Sequence, residues 1–402
     1  MPYVFSDEPA GSTDGKWVRY DSEGAMVKGW YENENGRYYY DPVTGAMAKG
    51  KVEIEDKLIL FDTVTGIMVN DRQEYMTPGN EMYFSGWKEN NGQRYWYENG
   101  VRQGTLFDSK CVMYDGIARG REIYDPASKG WYWLDVDNEG AMARNKEVFV
   151  PYVFADEEPG SSNGKWVRYD DNGKMIYGVY YENGNTWFYQ DVTGAMLHDG
   201  FAYVSGFPRY FAAVTGLMSD VGLDIPQEYY INQMDYHAPL GCEGAAGLTA
   251  LWTLGYARNI GYVDFLGTMP YHDNDPNLGF VGSPWERRSG KVGMILPRAF
   301  SQWINGYGKA QDISGCSDLE MLECLARGEI IIIWTSSDFA YREVIEEWWG
   351  RHFRRDHVMI LSNYSSATNS FLVVDPYRGY QWRSWDDMMQ TWGKIRNTVR
   401  IY

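Results

Sequence analysis

Two patterns of apolar and polar positions divide the chain. Up to about residue 220, short aromatic stretches alternate with turn residues. Tyr38-Tyr39-Tyr40 precedes Asp41 to Gly45, and Trp187-Phe188-Tyr189 precedes Thr193-Gly194. Aromatic residues suit pleated strands, and clusters of Asp, Thr and Gly suit tight turns. Each stretch therefore predicts a β-hairpin, with Ala46-Met47 beginning the second short strand of its unit. Helical periodicity is absent over most of this half. Beyond about residue 228 ordinary globular patterning takes over. Ala245 to Leu254 predicts a helix ending at Gly255, and Ser317-Asp318 predicts the cap of a helix from Leu319 to Ala326, ended by Gly328. The continuous apolar run Ile330 to Trp334 predicts a central strand. His357 to Tyr364 and Ser370 to Asp375 predict two further strands, and Val399 to Tyr402 an edge strand.

The first half is also repetitive. Gly-X-Met occurs at Gly24, Gly45, Gly66, Gly140, Gly173, Gly194 and Gly216, with adjacent copies often 21 residues apart. A longer duplication overlies it: Gly15-Lys16-Trp17-Val18-Arg19-Tyr20 returns as Gly164-Lys165-Trp166-Val167-Arg168-Tyr169, 149 residues later. A fixed short period implies stacked units that bury their faces on one another. Residues 72–83 and 103–128 fit the repeat poorly and read as insertions or degenerate units. Asp220 to Gln227, with Gly222 and Pro226, reads as a linker. The expected division is therefore 1–220 for the repeats and 221–402 for a globular domain.

Composition narrows the partners. The formal net charge of −18 disfavours nucleic acid and anionic membrane surfaces, and no apolar stretch is long enough to span a bilayer. Met1 runs directly into Pro2-Tyr3-Val4-Phe5, which recurs as Pro151-Tyr152-Val153-Phe154; the expectation is a secreted protein whose signal peptide is absent from this sequence. The four cysteines are too sparse for a disulfide scaffold, and Cys111, Cys316 and Cys324 read as free, mostly buried thiols.

Cys242 differs from these three in its neighbours. It stands just before the helix predicted from Ala245, where unpaired backbone N–H groups and the helix dipole favour thiolate. The strands 357–364 and 370–375 are joined by Ser365 to Asn369, a hairpin-length connection. Folding about Ala367 places His357 near Asp375. A carboxylate bonded to one imidazole nitrogen fixes the tautomer and leaves the other nitrogen for a thiol. Gln233, nine residues before Cys242, offers a side-chain amide for a tetrahedral oxyanion, beside the backbone N–H of Cys242. His237, His272 and His352 read as structural or solvated. The run Arg351, Arg354, Arg355 beside His357 reads as a solvated loop or as a site for a substrate carboxylate. His272-Asp273-Asn274-Asp275 fits no strong metal-ligand spacing, and the motifs call for no cofactor.

Two resemblances follow from these residues. Gly29-Trp30-Tyr31, Gly36-Arg37-Tyr38-Tyr39-Tyr40 and Thr44-Gly45-Ala46-Met47 resemble the glucan-binding and choline-binding cell-wall repeats of secreted bacterial proteins, over roughly residues 15–70, 86–104 and 130–218. This implies an all-β hairpin-repeat solenoid that attaches to a bacterial cell-wall polymer. Residues 228–402 resemble papain-like cysteine peptidases of the bacteriocin-leader-processing type, in a secreted branch. The carrying residues are Asn232-Gln233-Met234-Asp235, Ala238 to Ala246, Asn277 to Pro284, His357-Val358-Met359-Ile360 and Val374-Asp375-Pro376. That resemblance implies an α+β papain-like domain acting on a peptide or protein substrate. In it Cys242 is the nucleophile, His357 the general base and acid, Asp375 the orienting acid and Gln233 the oxyanion donor. The histidine strand departs from the family's frequent Gly-Tyr ending, closing here with Ser362-Asn363-Tyr364. The interval of 115 residues from Cys242 to His357 is longer than transglutaminase-like and NlpC-type hydrolases usually keep. The expected protein is thus a secreted, wall-attached cysteine peptidase at a bacterial surface. The competing expectation is a catalytically silent adhesin or wall-binding protein.

Overall fold

A computed structural model describes residues 15–54, 57–68, 74–75, 84–157 and 164–402. Most of 72–83 lies outside these, as does the Pro2–Phe5 copy of the duplication. The chain forms two compact units, Met1–Ile176 and Tyr177–Tyr402.

The first unit is built from antiparallel hairpins. Gly29–Asn33 pairs with Gly36–Tyr40, so this hairpin turns at Glu34-Asn35. Asp41 to Gly45, expected to be the hairpin turn, instead links units. There Asp41 Oδ1 accepts from the Val43 and Thr44 N–H groups at 2.9 and 2.6 Å and from the Thr44 hydroxyl at 2.9 Å, and Asp62 repeats the plan with Val64 and Thr65. Met47 does not start a full strand; it forms a single bridge back to Tyr40, as Met68 does to Phe61.

The Gly-X-Met signature has a steric cause. Gly66 adopts φ +71, and a Cβ there would lie 2.6 Å from Sδ of Met47, the methionine of the preceding unit. Gly45 sits in the same way against Met26. The Met47 N–H donates to Trp17 O at 2.8 Å and the Met68 N–H to Arg37 O at 2.6 Å, so neighbouring units are also tied through their backbones. Residues 103–128, which fit the repeat poorly, enter a broader sheet. Val112–Tyr114, Ile117–Asp125 and Gly130–Asp135 run there as consecutive antiparallel strands.

In the second unit, the hairpins Gly178–Glu182/Asn185–Tyr189 and Gly200–Val204/Phe207–Phe211 precede a seven-stranded sheet. Its strands are β1 (Val221–Gly222), β2 (Ala310–Asp312), β3 (Ile330–Ser336), β4 (Asp356–Ser365), β5 (Ser370–Asp375), β6 (Gly379–Ser384) and β7 (Thr398–Ile401). The order is β2-β7-β3-β4-β5-β6, all antiparallel, with β1 also pairing to β4. Six helices accompany it among the described residues: α1 (Cys242–Thr253), α2 (Tyr262–Gly267), α3 (Pro297–Ile304), α4 (Asp318–Ala326), α5 (Trp385–Gln390) and α6 (Trp392–Ile395).

The sheet is covered on both faces. Ile330, Ile332, Trp334, Val358 and Ile360 pack with α1 to α3, while Ile331, Ile333, Met359 and Leu361 pack with α4 to α6. This two-sided burial explains why β3 is a continuous apolar run. Two expectations need correction. Residues 398–401 do not form an edge strand, because β7 lies between β2 and β3 and pairs with both. Residues 220–227 are not a free linker either. Val221 and Gly222 pair with Tyr364 and Asn363, and Gly222 (φ +130) lies so close to the Ser362 carbonyl that a Cβ has no room.

Candidate active site

Helix α1 begins at Cys242, earlier than expected. Residues Cys242 through Leu251 are all buried. Small residues make this possible. Gly241, Gly244 and Gly247 recur every third position, where a Cβ would strike Tyr262, Leu266 and Ile304 respectively. The Tyr262 hydroxyl then donates to the Gly241 carbonyl at 2.8 Å, fixing the helix start.

The four residues singled out by sequence line one cleft of about 720 Å³. Cys242 enters from the N-terminus of α1, and His357 from the start of β4. Asp375 comes from the end of β5, where the hairpin brings it back beside His357. His357 Nε2 and Asp375 Oδ1 are 2.6 Å apart. The same oxygen accepts from the Tyr377 N–H at 2.8 Å. Burial opposes ionisation of Asp375, but its hydrogen bond to His357 and the attraction between the two outweigh burial, so the carboxyl sits below the ordinary carboxylate range. Engagement of Nε2 leaves Nδ1 as the nitrogen open to a thiol.

Gln233 opens a short 3-10 turn whose N-cap is Asn232, and its N–H donates to Pro376 O at 2.9 Å, next to Asp375 in the chain. Its side chain is 3% exposed. Nε2 donates to Ala238 O at 3.1 Å, while Oε1 has no partner.

Beside Cys242 and His357 the cleft also holds two carboxyls that the sequence pattern did not single out, and a third, Asp338, pairs with Arg378. Glu243 is 1% exposed. Its Oε2 accepts from the Cys242 thiol at 3.1 Å, and Oε1 accepts from the Ile295 N–H at 3.2 Å. Asp356 Oδ1 accepts from the Phe353 N–H at 2.9 Å, and Oδ2 is shut from solvent without a partner although the residue as a whole is half-buried. Burial pushes the Glu243 carboxyl to about 7 and, with Glu243's charge adding to it, holds Asp356 well above the ordinary range. Burial also raises the Cys242 thiol well above its usual value, helped by Glu243 and opposed by the Val358 N–H. The thiol proton is thus directed to Glu243; among the described residues no hydrogen bond joins Cys242 to His357. Both carboxyls adjoin predicted site residues in sequence, Glu243 after Cys242 and Asp356 before His357. That adjacency is the one signal that pointed to them.

His352 lines the cleft too. It is buried, its Nδ1 lies 2.9 Å from Phe353 O, and burial lowers its proton affinity, so it is a neutral wall residue. His272 Nδ1 accepts from the Asp275 N–H at 3.0 Å and serves a turn. His237 closes the 3-10 turn after Tyr236 with a left-handed backbone. Arg287, Arg354, Arg355 and Arg378 stand on the cleft rim.

Comparison with known proteins matches two separate stretches of the chain. The Peptidase_C39 like family matches residues 225–399, and the choline-binding repeat matches residues 12–52. The C-terminal region carries a Peptidase_C39-like domain. The N-terminal region carries choline-binding repeats. No curated protein matches the chain. Among solved structures, one described as a C39-like peptidase from Bacillus anthracis is 20% identical, covers 46% of this chain and 97% of its own, with a TM-score of 0.38. Choline binding protein F from Streptococcus pneumoniae, solved with a peptidoglycan analogue, is 18% identical and covers 54% of this chain, with a TM-score of 0.24; this chain spans 63% of that one. CbpJ, also from Streptococcus pneumoniae, is 16% identical over 52% of this chain and 72% of its own, with a TM-score of 0.21.

Trp30, in the matched repeat, lies 5.1 Å from Tyr39 of the same repeat and 6.1 Å from Phe61 beyond it. The Arg37 guanidinium covers the Trp30 ring, 4.3 Å from its centroid, as a cation–π pair within the protein. Arg94 covers Trp87 in the same way at 4.7 Å.

Proposed function

We propose that residues 221–402 are a papain-like cysteine peptidase and that residues 1–220 hold it, as a solenoid of hairpin units, on a cell-wall polymer outside a bacterium. The hydrogen bond of 2.6 Å between His357 and Asp375, in one cleft with Cys242 at a helix N-terminus, is the observation that carries this reading. Cys242 is the nucleophile. A rotation of its side chain takes Sγ from Glu243 to His357 Nδ1, which accepts the thiol proton. The sulfur attacks the scissile carbonyl, and the oxyanion takes hydrogen bonds from the Cys242 N–H and from the Gln233 amide. The C–N bond breaks as imidazolium returns the proton to the leaving amine, giving a thioester that water hydrolyses with His357 again as base. Asp375 holds the ring and offsets its charge.

A catalytically silent wall-binding protein is the second reading. The observation favouring it is the thiol's bond to Glu243 and its burial, both of which oppose thiolate. Iodoacetamide labelling of the full chain at neutral pH, read cysteine by cysteine, separates the two. The peptidase reading expects Cys242 to react faster than Cys111, Cys316 and Cys324, to slow in His357→Ala, and peptide hydrolysis to vanish in Cys242→Ala. Equal reactivity of all four thiols, with no hydrolysis, would establish the silent reading. Pull-down of the full chain on purified bacterial walls, with choline or glucan as competitor, tests attachment; failure to bind removes that role.

A further inference from the structure

We infer that the Cys242 cleft selects peptides with acidic side chains next to the scissile bond; this rests on the peptidase reading above and specifies its substrate class. Three separate segments deliver arginines to one rim. Arg287 comes from the loop after Pro284, Arg354 and Arg355 from the turn immediately before Asp356 and His357, and Arg378 from the turn that follows Asp375. All four are exposed. Two are engaged within the protein: Arg378 with Asp338 at 2.6 Å and Arg354 with Glu343 at 3.1 Å. Arg287 and Arg355 have no ion pair among the described residues.

Among the cleft-lining carboxyls Asp338 pairs with one rim arginine, Arg378, and the others do not offset Arg287 and Arg355. Asp375 is turned to His357. Burial holds the Asp356 carboxyl well above the ordinary range, and Glu243, at about 7, is ionised only in part at neutral pH. The excess of positive charge runs against the chain's composition, which has 37 Lys and Arg to 55 Asp and Glu. A basic rim on an acidic protein is a local feature, and a cleft concentrates the field of the charges that line it. A carboxylate also fits the planar donor fork of an unpaired guanidinium. Arg355 stands two residues before His357 in the chain and lines the same cleft, which places recognition of an acidic residue near the reacting bond.

The test uses the full chain and three pooled series of internally quenched peptides with mixed central residues, flanked by Glu, by Gln or by Lys, with amidated C-termini. The expected result is a kcat/KM order of Glu over Gln over Lys, with the Glu preference shrinking at about 0.5 M salt. Arg287→Gln and Arg355→Gln should each reduce the Glu-over-Lys ratio by roughly two- to fivefold, the range for an exposed ion pair. Arg351→Gln, which lies outside the cleft lining, should leave that ratio unchanged. Hydrolysis of all three series at equal rates overturns the inference while the peptidase reading stands. A preference that appears only with free C-termini overturns it too, because the recognised group is then the terminal carboxylate. If no peptide is cleaved, fluorescence anisotropy of the same peptides decides separately. Tighter binding of the Glu series, weakened in Arg287→Gln and Arg355→Gln, supports the inference; equal binding of Glu and Lys series overturns it.

Discussion

Glu243→Gln isolates the cost of a buried carboxyl beside the thiol. An ordinary glutamate titrates near 4.5, and Glu243 titrates at about 7 because it is buried. Between these values the folded protein holds a proton that the unfolded chain has released, so stability falls as pH rises through the interval. At about 1.36 kcal/mol per pH unit, the loss accumulates to about 3 kcal/mol and levels off above pH 7. Glutamine has nearly the same shape, keeps an oxygen for the Ile295 N–H, and cannot ionise. The variant should therefore gain on the native protein as pH rises, by up to about 3 kcal/mol at about pH 8.5, and the gain should shrink towards zero at about pH 5. Asp356 is present in both proteins, and because the Glu243 charge adds to its raised value, removing that charge moves the difference in the same direction.

Urea unfolding followed by far-ultraviolet dichroism is the assay. Among the described residues every α-helix lies in Tyr177–Tyr402, so the helical signal reports the unit that contains Glu243. Labelling of Cys242 gives an independent readout. Above pH 7 the Glu243 carboxylate holds the thiol proton, so Glu243→Gln should release thiolate at lower pH than the native protein does. Parallel loss of stability in both proteins between about pH 5 and about pH 8.5 would falsify the assignment of a buried, near-neutral carboxyl at this position.

Three further substitutions probe other parts of the argument. Asp375→Asn keeps an acceptor for His357 but removes the charge, and a hydrogen bond to a charged group contributes about 1.5–3 kcal/mol, so kcat/KM for peptide hydrolysis should fall about ten- to a hundredfold with dichroism unchanged. Because the native Asp375 carboxyl is held low, its contribution to stability is present above the ordinary carboxylate range and lost as pH falls through its lowered value; acid titration of Asp375→Asn should show a shallower loss. Gly66→Ala forces an L side chain into φ +71 and a Cβ within 2.6 Å of Met47 Sδ, so the first unit should lose about 2–4 kcal/mol in thermal melts, with partial recovery when Met47→Ala relieves the overlap. Gly222→Ala has no room beside the Ser362 carbonyl and should expose the Val221 and Gly222 backbone to hydrogen exchange while β3 and β7 stay protected.

What the sequence could foretell depended on how local the determining physics was. The β3 strand announced itself because both of its faces meet helices, which leaves no polar position from Ile330 to Trp334. The approach of His357 to Asp375 was similarly local, a matter of one hairpin with a short turn. The place of β7 was not, since its partners β2 and β3 are set by residues some 70 to 90 positions earlier, and nothing in Thr398–Ile401 distinguishes an edge from an interior strand. Glycine misled twice for the same reason. Gly222 suggested a linker, and Gly244 hid the true start of α1, because glycine most often marks a break in regular structure. In both places it is there for close approach, to the Ser362 carbonyl and to Leu266. The deepest loss of information concerns charge. Glu243 and Asp356 look in the sequence like any solvated acids, and only packing raises both above the ordinary carboxylate range, Glu243 to about 7. Their burial follows from the small residues of α1, which draw the helix start into the core and take the side chain after Cys242 with it. The glycine spacing that permits the nucleophile's position therefore also imposes the carboxyl that restrains it, and a variant that relaxes the packing at Gly244 or Gly247 should alter thiol reactivity and the Glu243 titration together.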